Sequence, residues 1–258
     1  MRIAVLGLGE AGSLIATDLV RAGADVVGWD PNPHGAIDEI PLAAGFAAAI
    51  DGADVIVSVN WASVAEDVAR EALPRIKRGA LYADHNTSGP TLKARLAAIV
   101  EPAGCAFADV AMMSPVPPLG VRVPVFVAGS GARRFADVFR PYGMPIEIVG
   151  EQPGAAAARK LVRSVFFKGM AAAVCESLEA ARAGGIYDWM YADIAKTFEA
   201  ANAALVDRLV EGSRTHAVRR AHEMHEVVAL LHEYGLPGPV SQAAAQTLEQ
   251  LARDGVNA

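Results

Sequence analysis

The sequence predicts an α/β protein: a doubly wound, mostly parallel sheet over residues 1–150, then an all-helical domain over residues 151–258. Three observations carry this. Strand-like and helix-like segments alternate from the first residue to about Gly150. A glycine run, Gly7-Leu8-Gly9-Glu10-Ala11-Gly12, sits between the first strand and the first helix. No strand-like segment follows Gly150.

Arg2 to Leu6 is the first strand, and helical periodicity runs from Ser13 to Arg21. Between them each glycine has a physical task. Gly7 makes the tight turn, Gly9 lets the backbone approach a pyrophosphate, and Gly12 lets helix pack on strand. The unpaired N–H groups of the helix N-terminus then face the phosphates. Asp25 to Trp29 is a second strand ending in Asp30, close to the offset expected for the acid that binds the adenosine ribose. Strand, glycine loop, helix and acid together define a Rossmann-type dinucleotide site. Asp30 to Gly35 reads DPNPHG and holds no Arg or Lys to clamp a 2′-phosphate, so NAD is expected over NADP.

Further strands are expected at Asp54 to Val59, Ala80 to Asp84, Cys105 to Val110, Val123 to Ala128 and Pro145 to Val149. Helices are expected at Ala62 to Leu73, Thr91 to Val100 and Arg133 to Arg140. In such sheets ligands lie beyond the carboxyl ends of the strands. Asn60, His85, Asn86, Thr87 and Ser114 fall at or just after such ends, with Thr87 or Ser88 also offered as a helix N-cap.

The stretch from Gly150 to Glu179 reads as one long helix opening at Pro153-Gly154 and ended by Gly184-Gly185. It carries Lys160, Ser164 and Lys168 at four-residue intervals. At ~100° per residue these drift by only ~80° and share one face. A polar stripe on an apolar helix points to water or a ligand. Helices are then expected at Asp188 to Leu209, Thr215 to Tyr234 and Ser241 to Arg253. His216, His222, His225 and His232 fall in one helix without a metal-ligand pattern and read as solvated or hydrogen-bonded. Arg219-Arg220 with Glu223 and Glu226 reads as a salt-bridged face, or as an anchor for an anionic substrate.

Composition narrows the function classes. Of 258 residues 53% are hydrophobic, which excludes general disorder, and the net charge of −6 argues against nucleic acid. Cys105 and Cys175 make no disulfide framework, so both are expected as small buried hydrophobes in a reducing, cytoplasmic setting. The opening MRIAVLGLG is a strand rather than a signal peptide, and no apolar run reaches the ~18 residues of a membrane span.

On these motifs the chain resembles the β-hydroxyacid dehydrogenase family, which contains 3-hydroxyisobutyrate and 6-phosphogluconate dehydrogenases. GLGEAGSLIATDL is similar to the family's GxGxMGxxMAxNL opening, with Ala11 in place of Met. Asp84 to Pro90, DHNTSGP, is similar to DxSTxxP, with Asn86 in place of Ser. Asp109 to Pro115, DVAMMSP, stands where the family has DxPVSGG, so Met113 replaces its substrate-binding Ser, with Ser114 beside it. Gly154 to Ser164 is similar to GxGxxxKxxNN, with Arg163 and Ser164 in place of the two Asn. The helical half resembles a little-characterised branch of the same superfamily.

The resemblance implies a dehydrogenase with Lys160 as general acid/base and Ser164 assisting. It implies Gly7, Leu8, Gly9, Glu10, Ala11, Gly12, Asp30, Asn60 and Asn86 around NAD, and Thr87, Met113, Ser114 and Lys168 around a small anionic β-hydroxy acid. Lys168 has an equal reading as a surface or ion-paired lysine. Phe167 stands where decarboxylating members carry Glu, so loss of CO₂ is not expected. Two alternatives stay open: an imine reductase, a class that usually lacks the lysine, and a non-catalytic NAD-binding protein. The alanine-rich helices and the family's habit imply a homodimer through the helical half.

Overall fold

A computed structural model describes residues 1–33 and 37–256; His34 and Gly35 of the DPNPHG loop lie outside the described residues. One sheet contains β1 (Arg2–Leu6), β2 (Asp25–Trp29), β3 (Val55–Ser58), β4 (Leu81–Asp84), β5 (Ala106–Met112), β6 (Val125–Ala128) and β7 (Ile146–Gly150). Their order is β2-β1-β3-β4-β5-β6-β7. Every neighbouring pair is parallel except β5 with β6. The segment between those two strands holds only a short 3₁₀ turn at Gly120–Arg122. A parallel return needs a longer crossover, usually a helix, so the chain reverses instead.

Successive residues of β1 feed opposite faces. Ile3 and Val5 enter one core with Ile15, Leu19, Phe135 and Phe139 from α1 (Glu10–Arg21) and a later helix, Ala132–Phe139. Ala4 and Leu6 enter the other, with Tyr82, Leu96 and Phe107. A sheet buried on both faces explains the nearly continuous apolar runs of β3 and β4. The remaining helices of this half are α2 (Phe46–Ile50), α3 (Ala65–Ala72) and α4 (Pro90–Val100), which makes Ala132–Phe139 α5.

The second half contains α6 (Ala155–Ala183), α7 (Tyr187–Glu199), α8 (Ala203–Thr215), α9 (Ala217–Glu233) and α10 (Pro239–Val256). The chain divides into compact units at Met1–Arg163 and Ser164–Ala258, so the first two turns of α6 count with the sheet unit. The Rossmann-type sheet and the helical C-terminal region are as expected from sequence. No helix among the described residues is long and apolar enough to cross a membrane.

Several local expectations need correction. α1 begins at Glu10, three residues before Ser13. The five-residue α2 is too short to show a periodicity. The helix expected over Asp188 to Leu209 is two, because the Asn202 side chain accepts the Leu205 N–H and starts a new helix. α8 then runs straight through Gly212, where a Cβ would fall 2.7 Å from the Arg220 guanidinium. That glycine makes room for an arginine and breaks no helix. Gly89, not Thr87 or Ser88, is the N-cap of α4. Cys105 is buried, which pushes its thiol up to about 11, but Cys175 is exposed.

His85 follows β4 directly and is fully buried against Phe135, with ring centroids 5.6 Å apart. Burial, reinforced by the charges of Lys93 and Lys160, pulls its pKa from 6.5 down to about 3. The unfolded chain therefore takes up this proton below about pH 6.5 while the folded chain does not. Stability is full above that value and is lost as pH falls toward 3. Between pH 8 and pH 5 the loss from this one group is about 2 kcal/mol. Urea unfolding across that range should show a shallower acid-side decline for His85→Leu than for wild type. Parallel curves would assign the acid sensitivity elsewhere.

Candidate active site

The glycine loop has three glycines with different physical reasons. Gly7 has φ of +105°, and a Cβ there would sit 2.0 Å from the Val59 carbonyl oxygen. A Cβ on Gly12 would sit 1.9 Å from the Gly7 oxygen. Both are demanded by the protein's own packing. Gly9 is not, for nothing lies within 4 Å of its missing Cβ. Gly9 is also the N-cap of α1 and offers no side-chain hydrogen bond to the first turn. Open space in front of uncapped N–H groups is the cradle a pyrophosphate requires. Glu10 and Ala11 form the first helical turn behind it.

Asp30 closes the loop from the other side. One oxygen accepts the Leu8 N–H at 2.7 Å and the other accepts the Asn32 N–H at 2.8 Å. A carboxylate has about four acceptor positions, so room remains for ribose hydroxyls.

At the ends of β3 and β4 the polar side chains are mutually fixed. The Asn60 N–H donates to Asn86 Oδ1 at 2.5 Å, and Asn60 Nδ2 donates to Ser58 Oγ at 3.0 Å. Asn86 Nδ2 donates to Asn60 Oδ1 at 3.0 Å and to Asp84 Oδ1 at 2.6 Å. Beyond them Thr87 is exposed, and its Oγ1 accepts a hydrogen bond from Lys160 Nζ at 2.8 Å. Asn86, Thr87, Ala157 and Lys160 line one small pocket.

Lys160 reaches that place because α6 is anchored at its start. Gly154, at φ +97°, lies face-on to Pro90, where a Cβ would meet three atoms at 2.8 Å. Asp109 Oδ2 accepts the N–H groups of Gly154, Ala156 and Ala157 at 3.0, 3.1 and 3.1 Å. A carboxylate in that position also complements the positive end of the helix. Asp109 is in turn tied to Asp84 by Lys93, which is only 1% exposed. Lys93 Nζ donates to Asp84 Oδ2 at 2.6 Å and to the Asp84 carbonyl at 2.8 Å, and forms an ion pair with Asp109 Oδ1 at 3.3 Å. Burial pushes the Asp84 carboxyl above its ordinary range, against the opposing pull of Lys93.

Other expected residues are placed as follows. Met113 is half-buried beside Ala111 and Ala156, and its carbonyl accepts Arg163 Nη1 at 2.9 Å; Ser114 follows it, also half-buried. Ser164 and Lys168 lie one and two turns beyond Lys160 on α6 but within the helical unit. Arg219 pairs with Glu223, as in the salt-bridged reading, whereas Arg220 donates to the neutral Ser213 Oγ at 3.1 Å. His225 contacts Glu249 at 2.9 Å. Sequence reasoning missed Lys93, Asp109 and Arg163 as parts of the site. Asp109 was visible as a motif residue, but nothing in the helical pattern of α4 marked Lys93 as buried.

A glycine loop at a helix N-terminus, a carboxylate after β2 and a lysine at the neighbouring strand ends are an arrangement that could hold a dinucleotide, and the sequence match places the chain among NAD(P)-binding dehydrogenases and reductases. Residues 2–114 match the NAD-binding domain of 6-phosphogluconate dehydrogenase, and residues 181–251 match a domain of unknown function, DUF1932. A conserved hypothetical protein from Sinorhizobium meliloti 1021 is 31% identical, over 96% of this chain and 87% of that one, with a TM-score of 0.63. The conserved protein MTH1747, described as structurally similar to 3-hydroxyacid dehydrogenases, is 25% identical over 99% and 98%, with a TM-score of 0.64. An imine reductase variant from Myxococcus stipitatus, in complex with NAD⁺, shares the fold at 20% identity over 98% and 94%, with a TM-score of 0.82. The chain joins a 6-phosphogluconate dehydrogenase-type NAD-binding domain to a DUF1932 domain, and belongs with the Sinorhizobium meliloti protein in one family.

The buried ionic cluster is costly to disturb. Removing one partner of a buried pair strands a charge and costs about 3–5 kcal/mol. Lys93→Met leaves two carboxylates facing each other without their cation. Denaturant unfolding should show a loss of that size, and a variant within 1 kcal/mol of wild type would mean that the cluster does not hold the site together.

Proposed function

We propose that the protein oxidises a small, anionic β-hydroxy acid, or reduces the corresponding carbonyl, with Lys160 as general acid/base and without loss of CO₂. The observation that carries this is Lys160 held at Thr87, one residue from Asn86, at the carboxyl end of β4. Gly7, Gly9, Gly12 and Asp30 would hold the dinucleotide, with Asn60 and Asn86 beside it. A bound nicotinamide would supply hydride acceptance and donation. In oxidation the substrate O–H bond breaks as its proton passes to the neutral amine of Lys160. The C–H electron pair leaves as hydride, and the C=O bond forms. Thr87 Oγ1 keeps the amine pointed at the reacting oxygen. In reduction the ammonium returns the proton to that oxygen.

NAD is the favoured cofactor, because Asp30 to Gly35 holds no Arg or Lys to clamp a 2′-phosphate. Phe167 gives decarboxylation no acid. The test is turnover on hydroxy acids, sugar acids, neutral alcohols and cyclic imines with both cofactors, following NAD(P)H and CO₂ together. Activity is expected on acids with NAD. Lys160→Ala should cut it by about 10²–10⁴-fold while dinucleotide affinity holds within twofold. Turnover confined to imines or neutral alcohols, or a Lys160→Ala variant keeping a tenth of the wild-type rate, would overturn the assignment.

The working form is a homodimer joined through the helical unit. α7 and α8 bury none of their residues, and Phe166, Trp189, Tyr191, Phe198, Val206 and Leu209 are exposed. Apolar surface of this extent on one domain is what a subunit interface covers. Light scattering should report twice the 26.9 kDa chain mass, and a monomer at micromolar concentration would refute the pairing.

A further inference from the structure

Trp61 has the most exposed large apolar side chain among the described residues, at 80%. Its surroundings make that exposure informative. The chain on either side is fixed. Val59 donates to the Leu6 carbonyl at 2.8 Å, Asn60 is held by Ser58 and Asn86, and the Trp61 carbonyl accepts the Val64 N–H at 3.1 Å. The same loop shapes the glycine turn, since the Gly7 Cβ position is closed by the Val59 oxygen at 2.0 Å and the Asn60 nitrogen at 3.3 Å. An indole with little packing of its own therefore stands two residues from the contact that forms the phosphate cradle. It does so on a backbone that needs no reorganisation to receive a ligand. A large flat side chain held open at such a place suits stacking, and every nucleotide base offers a π-face.

We propose that Trp61 is part of the dinucleotide site, its indole lying against one heteroaromatic ring of the bound cofactor and shielding it from water. This rests on the dinucleotide reading of the Gly7–Gly12 loop and adds a residue that the glycine motif does not contain. A stacked base contributes roughly tenfold to a hundredfold in affinity. The backbone polar contacts of the loop do not use the Trp61 side chain, so replacing it leaves the cradle itself in place.

The chain has three tryptophans, and replacing Trp29 and Trp189 by Phe leaves Trp61 as the sole tryptophan, whose emission is selected by exciting beyond the tyrosine band. In that background acrylamide quenching should fall severalfold when NAD⁺ saturates the protein. In the wild-type background, calorimetric titration with NAD⁺ should give a Kd about tenfold higher for Trp61→Ala, with Trp61→Phe recovering most of the loss. Protection by ADP-ribose assigns the contact to the adenine ring, and protection by nicotinamide mononucleotide alone assigns it to the nicotinamide. NAD⁺ binding that leaves quenching unchanged, and Trp61→Ala within twofold of wild type, would overturn the proposal and spare the dinucleotide reading. Protection that appears on raising protein concentration without cofactor would place Trp61 between copies of the chain and overturn it also. A wild-type protein that binds no dinucleotide removes both the proposal and the reading beneath it.

Discussion

The site depends on one ammonium group. Lys93 joins Asp84 at the end of β4 to Asp109 in β5, and Asp109 holds the first N–H groups of α6. Neither carboxylate is exposed, so each must find its charge balance inside the protein. Asp84 finds it in Lys93 and in the amide of Asn86. Asp109 finds it in Lys93 and in three backbone donors. The same bonds that neutralise the charges fix the first turns of α6 within the sheet unit. Lys160 in those turns meets Thr87, and the Asn86 amide carries the network across to Asn60 on the neighbouring strand.

The sheet order makes this economical. β1, β3, β4 and β5 are neighbours and run the same way, so their carboxyl ends fall along one edge. Gly7 follows β1, Asn60 follows β3, and Asn86 and Thr87 follow β4. Residues 80 positions apart in sequence are brought together by strand register alone. Side-chain hydrogen bonds then set the last few ångströms. The antiparallel β6 lies beyond β5, and the parallel edge that gathers the site ends before it.

The fold was legible because its signals are local. Alternating strand and helix patterns, the strand–glycine–helix sequence and the loss of strand character after Gly150 each occupy a short window. Lys160, Asn86 and Asp30 could be placed for the same reason, as motif residues at known offsets. What escaped depends on contacts between distant segments. Lys93 reads as an ordinary helix lysine until Asp84 and Asp109 are brought beside it. The gap expected between Leu209 and Thr215 is helical, and its Gly212 leaves room for the Arg220 guanidinium. Asn202 has no special context in an alanine-rich run, yet one side-chain bond to Leu205 decides where a helix begins.

The contrast among the three loop glycines has an evolutionary consequence. At Gly7 and Gly12 any side chain collides with the backbone, so purifying selection for a folded protein is enough to keep them. At Gly9 folding imposes no such demand. A lineage that abandoned nucleotide binding would be free to drift there while its other two glycines stayed in place. The identity of that single position in any descendant of this chain therefore records whether the ancestral cargo is still carried.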